Sequence, residues 1–307
     1  MAQITETART SGPRHSSAAV PRRRRRGAAG APGKQQNAGP IAYLLLIFAA
    51  LVSLFPLYWT VSAASHTDQD IIAAHPSLLL PSSHLIDNMK IVWDQVDMTK
   101  ALINSTIVAG LVALSTVLFA TLAGFAFAKL QFRGRNALLT VVVATMTIPP
   151  QLSVIPLYQI ITNVGWVNHL QSVILPSLVA AFGVFFMRQF LSEALPIELI
   201  EAARVDGAHS LRILWHVVFP IARPAMAVLG MLVFVQAWND FFWPLIALSE
   251  QNPTVQVALA GVGSGNHSVD HAVVVTAALV ATLPLLIVFA VLGKQIVGGI
   301  TAGAVKS

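Results

Sequence analysis

Cysteine is absent from all 307 residues, which excludes disulfides, thiolate metal sites and cysteine nucleophiles together. Charge is scarce too. Asp, Glu, Lys and Arg make up 10% of the chain, against about 25% in a soluble domain, while 55% is hydrophobic. So little charge cannot cover a water-soluble fold, and lipid is the solvent this composition requires. Acids are fewer than bases, leaving a net charge of +6. Such an excess often marks nucleic-acid binding, but here the cations crowd into an N-terminal tail and short connections rather than over one face, so no nucleic acid is expected as a partner. Catalytic and nucleotide-binding patterns are missing as well. Gly33-Lys34 stands without the glycine and Ser or Thr of a phosphate loop, Ala28 and Gln35 occupying those places, and no span holds a His-Glu-x-x-His set or a nucleophile beside a base. The chain is expected to be a non-enzyme that needs no cofactor or metal. His267 and His271 lack a third ligand, and the two Asn-x-Ser/Thr matches at Asn104 and Asn266 read as chance.

What is present is a series of long apolar runs. A spanning helix needs about 20 mostly apolar residues, and six runs qualify, near 41–63, 102–128, 137–161, 171–191, 224–248 and 271–293. The expected fold is therefore an all-α membrane protein with six transmembrane helices over residues 41–295. Residues 1–40 form a basic tail too poor in large apolar residues to order, and 296–307 a short C-terminal tail. The run from Ile41 to Ala63 is too long for the apolar core of a signal peptide, which takes about 7 to 15 residues, and is expected to remain as a span. Pro149-Pro150 removes two backbone donors from the third run, so that span should kink or break where neighbours or a cavity satisfy the freed carbonyls.

Lys and Arg placement orients the spans. Arg9, Arg14, Arg22 to Arg26, Lys34, Lys129, Arg133, Arg135, Arg188, Arg204, Arg212, Arg223, Lys294 and Lys306 fall on one side; only Lys90 and Lys100 fall on the other. The first side is expected to be cytoplasmic, with both termini and the island at 192–223. The arginine run at 22–26 reads as a topology determinant or an anionic-lipid patch.

The island is a polar, amphipathic stretch between spans. Pro196 suits a first helical position, Glu198 favours the positive end of the helix dipole, and Gly207 suits the left-handed residue that ends a helix. Ser210 is placed to cap a second helix, in which Leu211, Leu214, Trp215 and Val218 share one face before Pro220 stops it. That apolar face needs a partner, either a cytoplasmic protein or the bilayer surface, with Glu201, Arg204, Asp206 and Arg212 setting the register in the first case.

Glu201-Ala202-Ala203, three residues, Gly207, nine residues, then Val217-Val218-Phe219-Pro220 resembles the EAA loop by which permeases of binding-protein-dependent ABC importers contact their ATPases. Val217 and Phe219 replace the usual Ile and Leu. The chain is also similar to the carbohydrate-uptake, maltose-permease-like branch at Asn104-Ser105, Phe125 to Leu130 with Arg133-Gly134-Arg135, Ile155 to Tyr158, Phe185 to Phe190, Trp238-Asn239-Asp240 with Phe242-Trp243-Pro244, and Gly299 to Lys306. The resemblance implies a type I ABC importer permease fold in the bacterial cytoplasmic membrane and a heterodimer with a sister permease. It further implies two ATPase subunits, an extracytoplasmic solute-binding protein and a sugar or oligosaccharide as cargo. It also implies that the coupling residues are Glu201, Ala202, Ala203, Arg204, Asp206, Gly207, Arg212 and Pro220.

Within the spans Asp240 is the conspicuous ionisable residue. A central carboxylate costs about 2.5–3.5 kcal/mol to insert, so it faces a cavity or a partner by default. Its neighbours Trp238, Asn239, Phe241, Phe242 and Trp243 make the densest aromatic cluster of the chain, which suits the C–H faces and hydroxyls of a sugar path. The competing reading is an interfacial aromatic belt with Asp240 among headgroups. A lone carboxylate also disfavours an ion-coupled secondary transporter, which needs several.

Overall fold

The computed structural model describes residues 39–73, 80–263 and 270–304. The arginine run, Gly33-Lys34, Asn266, His267 and the last three residues lie outside them. Residues 39–52 form one compact unit, and the chain from Ser53 onward forms a second. Among the described residues all regular structure is helical.

Helix α1 (Pro40–Ala64) is followed by α2 (Asp68–Ile72) and α3 (Leu85–Gln95). Helices α4 (Met98–Lys129) and α5 (Arg135–Thr145) come next, and then α6 (Val154–Asn163), entered through a tight turn at Pro150–Ser153. Short turns over 171–177 lead into α7 (Ala181–Ala194), and α8 (Ile197–Val205) precedes a long α9 (Ser210–Trp238). Helices α10 (Phe242–Ala247), α11 (Val255–Gly261) and α12 (His271–Ala304) complete the chain.

Five helical stretches are long and apolar enough to cross a membrane, six if the bent pair α5 and Pro150–Asn163 counts as one span. That pair meets at 91°, and the break falls at Pro149-Pro150, where two successive residues lack the N–H a helix requires. The fifth span differs from its expected limits. It ends at Trp238 rather than 248, and at its other end it is continuous with the island, through Pro220. Pro220 fails to stop it because a wider π-helical turn at Leu214–Val218 comes immediately before, where the i→i−4 pattern is already interrupted.

Helix α4 is the centre of the bundle, packed by α7 and α9. In lipid there is little hydrophobic drive between helices, so close packing of small residues does the work. A Cβ at Gly124 would lie 2.8 Å from both the backbone nitrogen of Arg188 and the Cβ of Met187, and one at Gly183 would lie 3.1 Å from Ala120. Bulky residues on the outer stripe of α4, such as Ile103, Ile107, Leu111 and Leu114, are exposed, as a surface facing lipid or another subunit must be. At the far end from the island, Asn88 donates to the carbonyls of Ala64 (2.8 Å) and His66 (2.9 Å), and Thr276 donates to Ala64 (3.1 Å), tying α3 and α12 to the end of α1.

Candidate functional site

Two places combine unpaired polar groups with a defined shape: the island at one end of α9 and a cavity at the other. The island is a helical elbow. Leu195 and Ile200 are fully buried and fix α8 to the core formed by Leu191, Ile213 and Val218. Pro196 caps α8 in an extended conformation, one residue before the first helical position expected for it. At the other end of α8 the Ala208 N–H donates to the Ala203 carbonyl (2.9 Å) and the Gly207 N–H to the Arg204 carbonyl (3.0 Å), with Gly207 at φ +77°. This is a Schellman termination, which satisfies two carbonyls and needs a left-handed residue at Gly207.

Helix α9 then starts from an extended His209. Ser210 is its first residue and makes no capping bond, so the expected Ser210 cap does not form. The predicted apolar stripe is also divided. Leu214 and Val218 are buried in the core, whereas Leu211 and Trp215 are each 61% exposed. Trp215 is held edge-on to Phe219 at 4.6 Å. Glu201, Ala202, Arg204, Asp206, Gly207, Arg212 and Pro220 are exposed around them, Ala203 is half-buried, and Val205 is 88% exposed. Among the described residues, Glu201, Arg204, Asp206 and Arg212 form no ion pair. The elbow therefore presents apolar knobs and charges without ion-pair partners at its surface.

The cavity has a volume of about 540 Å³ and lies between α4, the Pro150 turn, the 171–180 segment and the end of α9. Asp240 lies on its wall, in the break between α9 and α10 rather than inside the fifth span as expected; the backbone N–H groups of Trp243 and Phe242 face its carboxylate. Phe242 and Trp243 line the same wall, and the Trp243 indole N–H donates to the Ser172 carbonyl (2.9 Å). Trp238 does not belong there. It is 1% exposed, stacks on Phe234 at 5.7 Å and donates to the Ala281 carbonyl (3.2 Å), so it serves the packing of α9 on α12. Asn239 is exposed and returns its amide to the Val235 carbonyl (2.8 Å).

Sequence reasoning missed Gln151, Ser153, Ser177 and Gln236, which also line the cavity. Pro149-Pro150 was the available signal, since Pro150 is itself on the wall. Beside the cavity, Asn168 holds a left-handed φ of +63° and stitches two connections together. Its N–H donates to Ala247 (2.8 Å), its side chain accepts from the Ser249 N–H (3.1 Å) and donates to Gln251 (3.3 Å), and its carbonyl accepts from Asn252 (2.8 Å).

The described helices can be placed among known proteins. Residues 98–301 match the family described as binding-protein-dependent transport system inner membrane component. The chain belongs to this family. Similar permeases include the lactose transport system permease protein LacG of Rhizobium radiobacter, 32% identical over 87% of this chain and 96% of that protein. The melibiose/raffinose/stachyose import permease MelC of Bacillus subtilis is 30% identical over 87% and 96%, and the sn-glycerol-3-phosphate permease UgpE of Escherichia coli K12 is 29% identical over 84% and 94%. The fold is also that of a bacterial ABC transporter involved in import of the acidic polysaccharide alginate, with a TM-score of 0.69 at 23% identity, covering 83% of this chain and 94% of that one. The permease is thus an inner-membrane transport subunit, in keeping with a composition that requires lipid.

Proposed function

We propose that this permease is half of the pore of an ATP-binding-cassette importer that moves a sugar or oligosaccharide across the cytoplasmic membrane, with ATP hydrolysed on separate subunits. One observation carries the reading: α9 begins at the elbow and ends beside the cavity. Its 29 residues extend about 43 Å at 1.5 Å per residue, so a displacement of the elbow is delivered to the cavity wall by one continuous element.

In this reading Glu201, Ala202, Ala203, Arg204, Asp206, Gly207, Arg212 and Pro220 receive one of two ATPase subunits, with exposed Leu211 and Trp215 as apolar anchors. The elbow and both termini are cytoplasmic by the Lys and Arg bias. A sister permease closes the opposite side as a heterodimer, and an extracytoplasmic solute-binding protein delivers the cargo. Asp240, Phe242 and Trp243 line the path, with Asn239 at its edge. The named cargoes of LacG and MelC, which are sugars, support a carbohydrate; so does a cavity that sets aromatic rings beside hydrogen-bonding groups.

The test is uptake of labelled sugars in cells expressing the permease with its sister, ATPase and binding protein. Uptake should vanish when the ATPase is omitted and persist when ion gradients are collapsed in ATP-replete vesicles. Uptake that follows an ion gradient without the ATPase would refute the importer assignment.

A further inference from the structure

The cavity wall holds one kind of titratable group. Among the described residues on its wall, Asp240 is the sole ionisable group, with no Lys, Arg or His beside it. Its other polar residues are Thr116, Gln151, Ser153, Ser177 and Gln236. Two of the hydroxyls are already engaged as donors, Thr116 to the Leu178 carbonyl (3.3 Å) and Ser153 to the Pro150 carbonyl (2.8 Å). Donors for a cargo therefore come from the two glutamine amides and Ser177, all neutral. They can pair with hydroxyl oxygens but cannot neutralise a carboxylate or a phosphate.

We infer that the cavity admits uncharged carbohydrate and rejects anionic cargo such as uronates and sugar phosphates, with Asp240 as the residue that sets the discrimination. The inference rests on the importer reading above and adds to it the charge class of the cargo. Two features oppose it in sign: the backbone N–H groups of Trp243 and Phe242 face the carboxylate, and a helix starts on the wall. Ala180 lies on the wall, and α7 starts there without a side-chain cap, presenting free amides. A helix end amounts to about half a unit charge and fades within a turn, so it does not cancel a full carboxylate in the same space.

The size of the effect follows from the volume. Taken as a sphere, a cavity of about 540 Å³ is about 10 Å across, which sets the scale of the separation between an ionised Asp240 and an anion bound near it. At an effective dielectric of about 20, the repulsion disfavours a unit anion about 15-fold at 10 Å and about 100-fold at 6 Å.

The experiment uses the assembled importer in nanodiscs without its binding protein, so that the permease's own selectivity is read. Equilibrium binding is measured for methyl glycosides of glucose, galactose and mannose and for the matching methyl uronides, which differ only by a carboxylate at C6. The expected result is 15- to 100-fold weaker binding of the uronide in whichever pair binds, falling to within about threefold in Asp240→Asn. The wild-type ratio stands as a test even if that variant assembles poorly. Equal or tighter binding of the uronide in the wild type, or a preference that survives Asp240→Asn, overturns the charge filter and leaves the carbohydrate reading in place. Failure of every neutral glycoside to bind overturns the inference that the cavity itself admits uncharged carbohydrate.

Discussion

Gly207 offers the sharpest test of the elbow. Its φ of +77° lies in the left-handed region, and a Cβ built there meets nothing within 4 Å, so any effect of substitution is conformational rather than a clash with neighbours. An L-residue with a side chain pays about 1–2 kcal/mol in that region, less for Asn, more for a β-branched residue. One to two kcal/mol corresponds to a factor of about 5 to 30 in the population of the Schellman geometry. Gly207→Asn should therefore keep near-normal function, Gly207→Ala should weaken ATPase association by about 5- to 30-fold, and Gly207→Val should weaken it further. All three should insert normally, because no span is touched. Pull-down of the ATPase and sugar uptake, both normalised to permease in the membrane, read the series. Equal behaviour of the Asn and Val variants would show that the left-handed turn is irrelevant to coupling.

Three further outcomes are expected. Gly124→Ala places a Cβ 2.8 Å from backbone of α7 and must push α4 and α7 apart, lowering the melting temperature in detergent; an unchanged melting temperature would contradict the close packing described. Trp238→Phe loses the bond to Ala281 and should cost about 1 kcal/mol of stability without altering which sugars are carried, whereas Asp240→Leu should assemble normally yet lose most uptake; the opposite pattern would restore Trp238 to the path and Asp240 to the headgroups. The purified permease alone should hydrolyse no ATP, and turnover free of contaminating ATPase would overturn the division of labour proposed here.

Most of the spans were legible because lipid imposes a length on every apolar run, and Pro149-Pro150 announced a break by removing backbone donors, whereas the limits of the fifth span were not. What a helical period cannot tell is which neighbour an apolar face meets. Leu211, Leu214, Trp215 and Val218 share one stripe in sequence, yet two are core and two are surface, because the π turn at Leu214–Val218 shifts the phase within the stripe. Trp238 and Trp243 were read as one cluster for a similar reason. The helix ends between them at Asn239, so their directions are unrelated, and a break built from Asn and Asp within an otherwise apolar run is weakly marked. Gln151 and Gln236 stayed invisible because glutamine carries no charge to make its place in an apolar run conspicuous.

The clasp formed by Asn168 sets what it costs to part the two connections it joins. It joins two connections by hydrogen bonds, beside Ala247 and Leu248 of the packed core. When such a seam parts in water, each freed group finds a solvent partner, so the net loss is about 0.5–1.5 kcal/mol per bond, and the left-handed backbone at Asn168 relaxes at the same moment. A seam of buried leucines would instead expose greasy surface at every opening, inviting aggregation and slowing closure. A junction closed by hydrogen bonds between connections therefore costs less to part than one closed by buried apolar side chains.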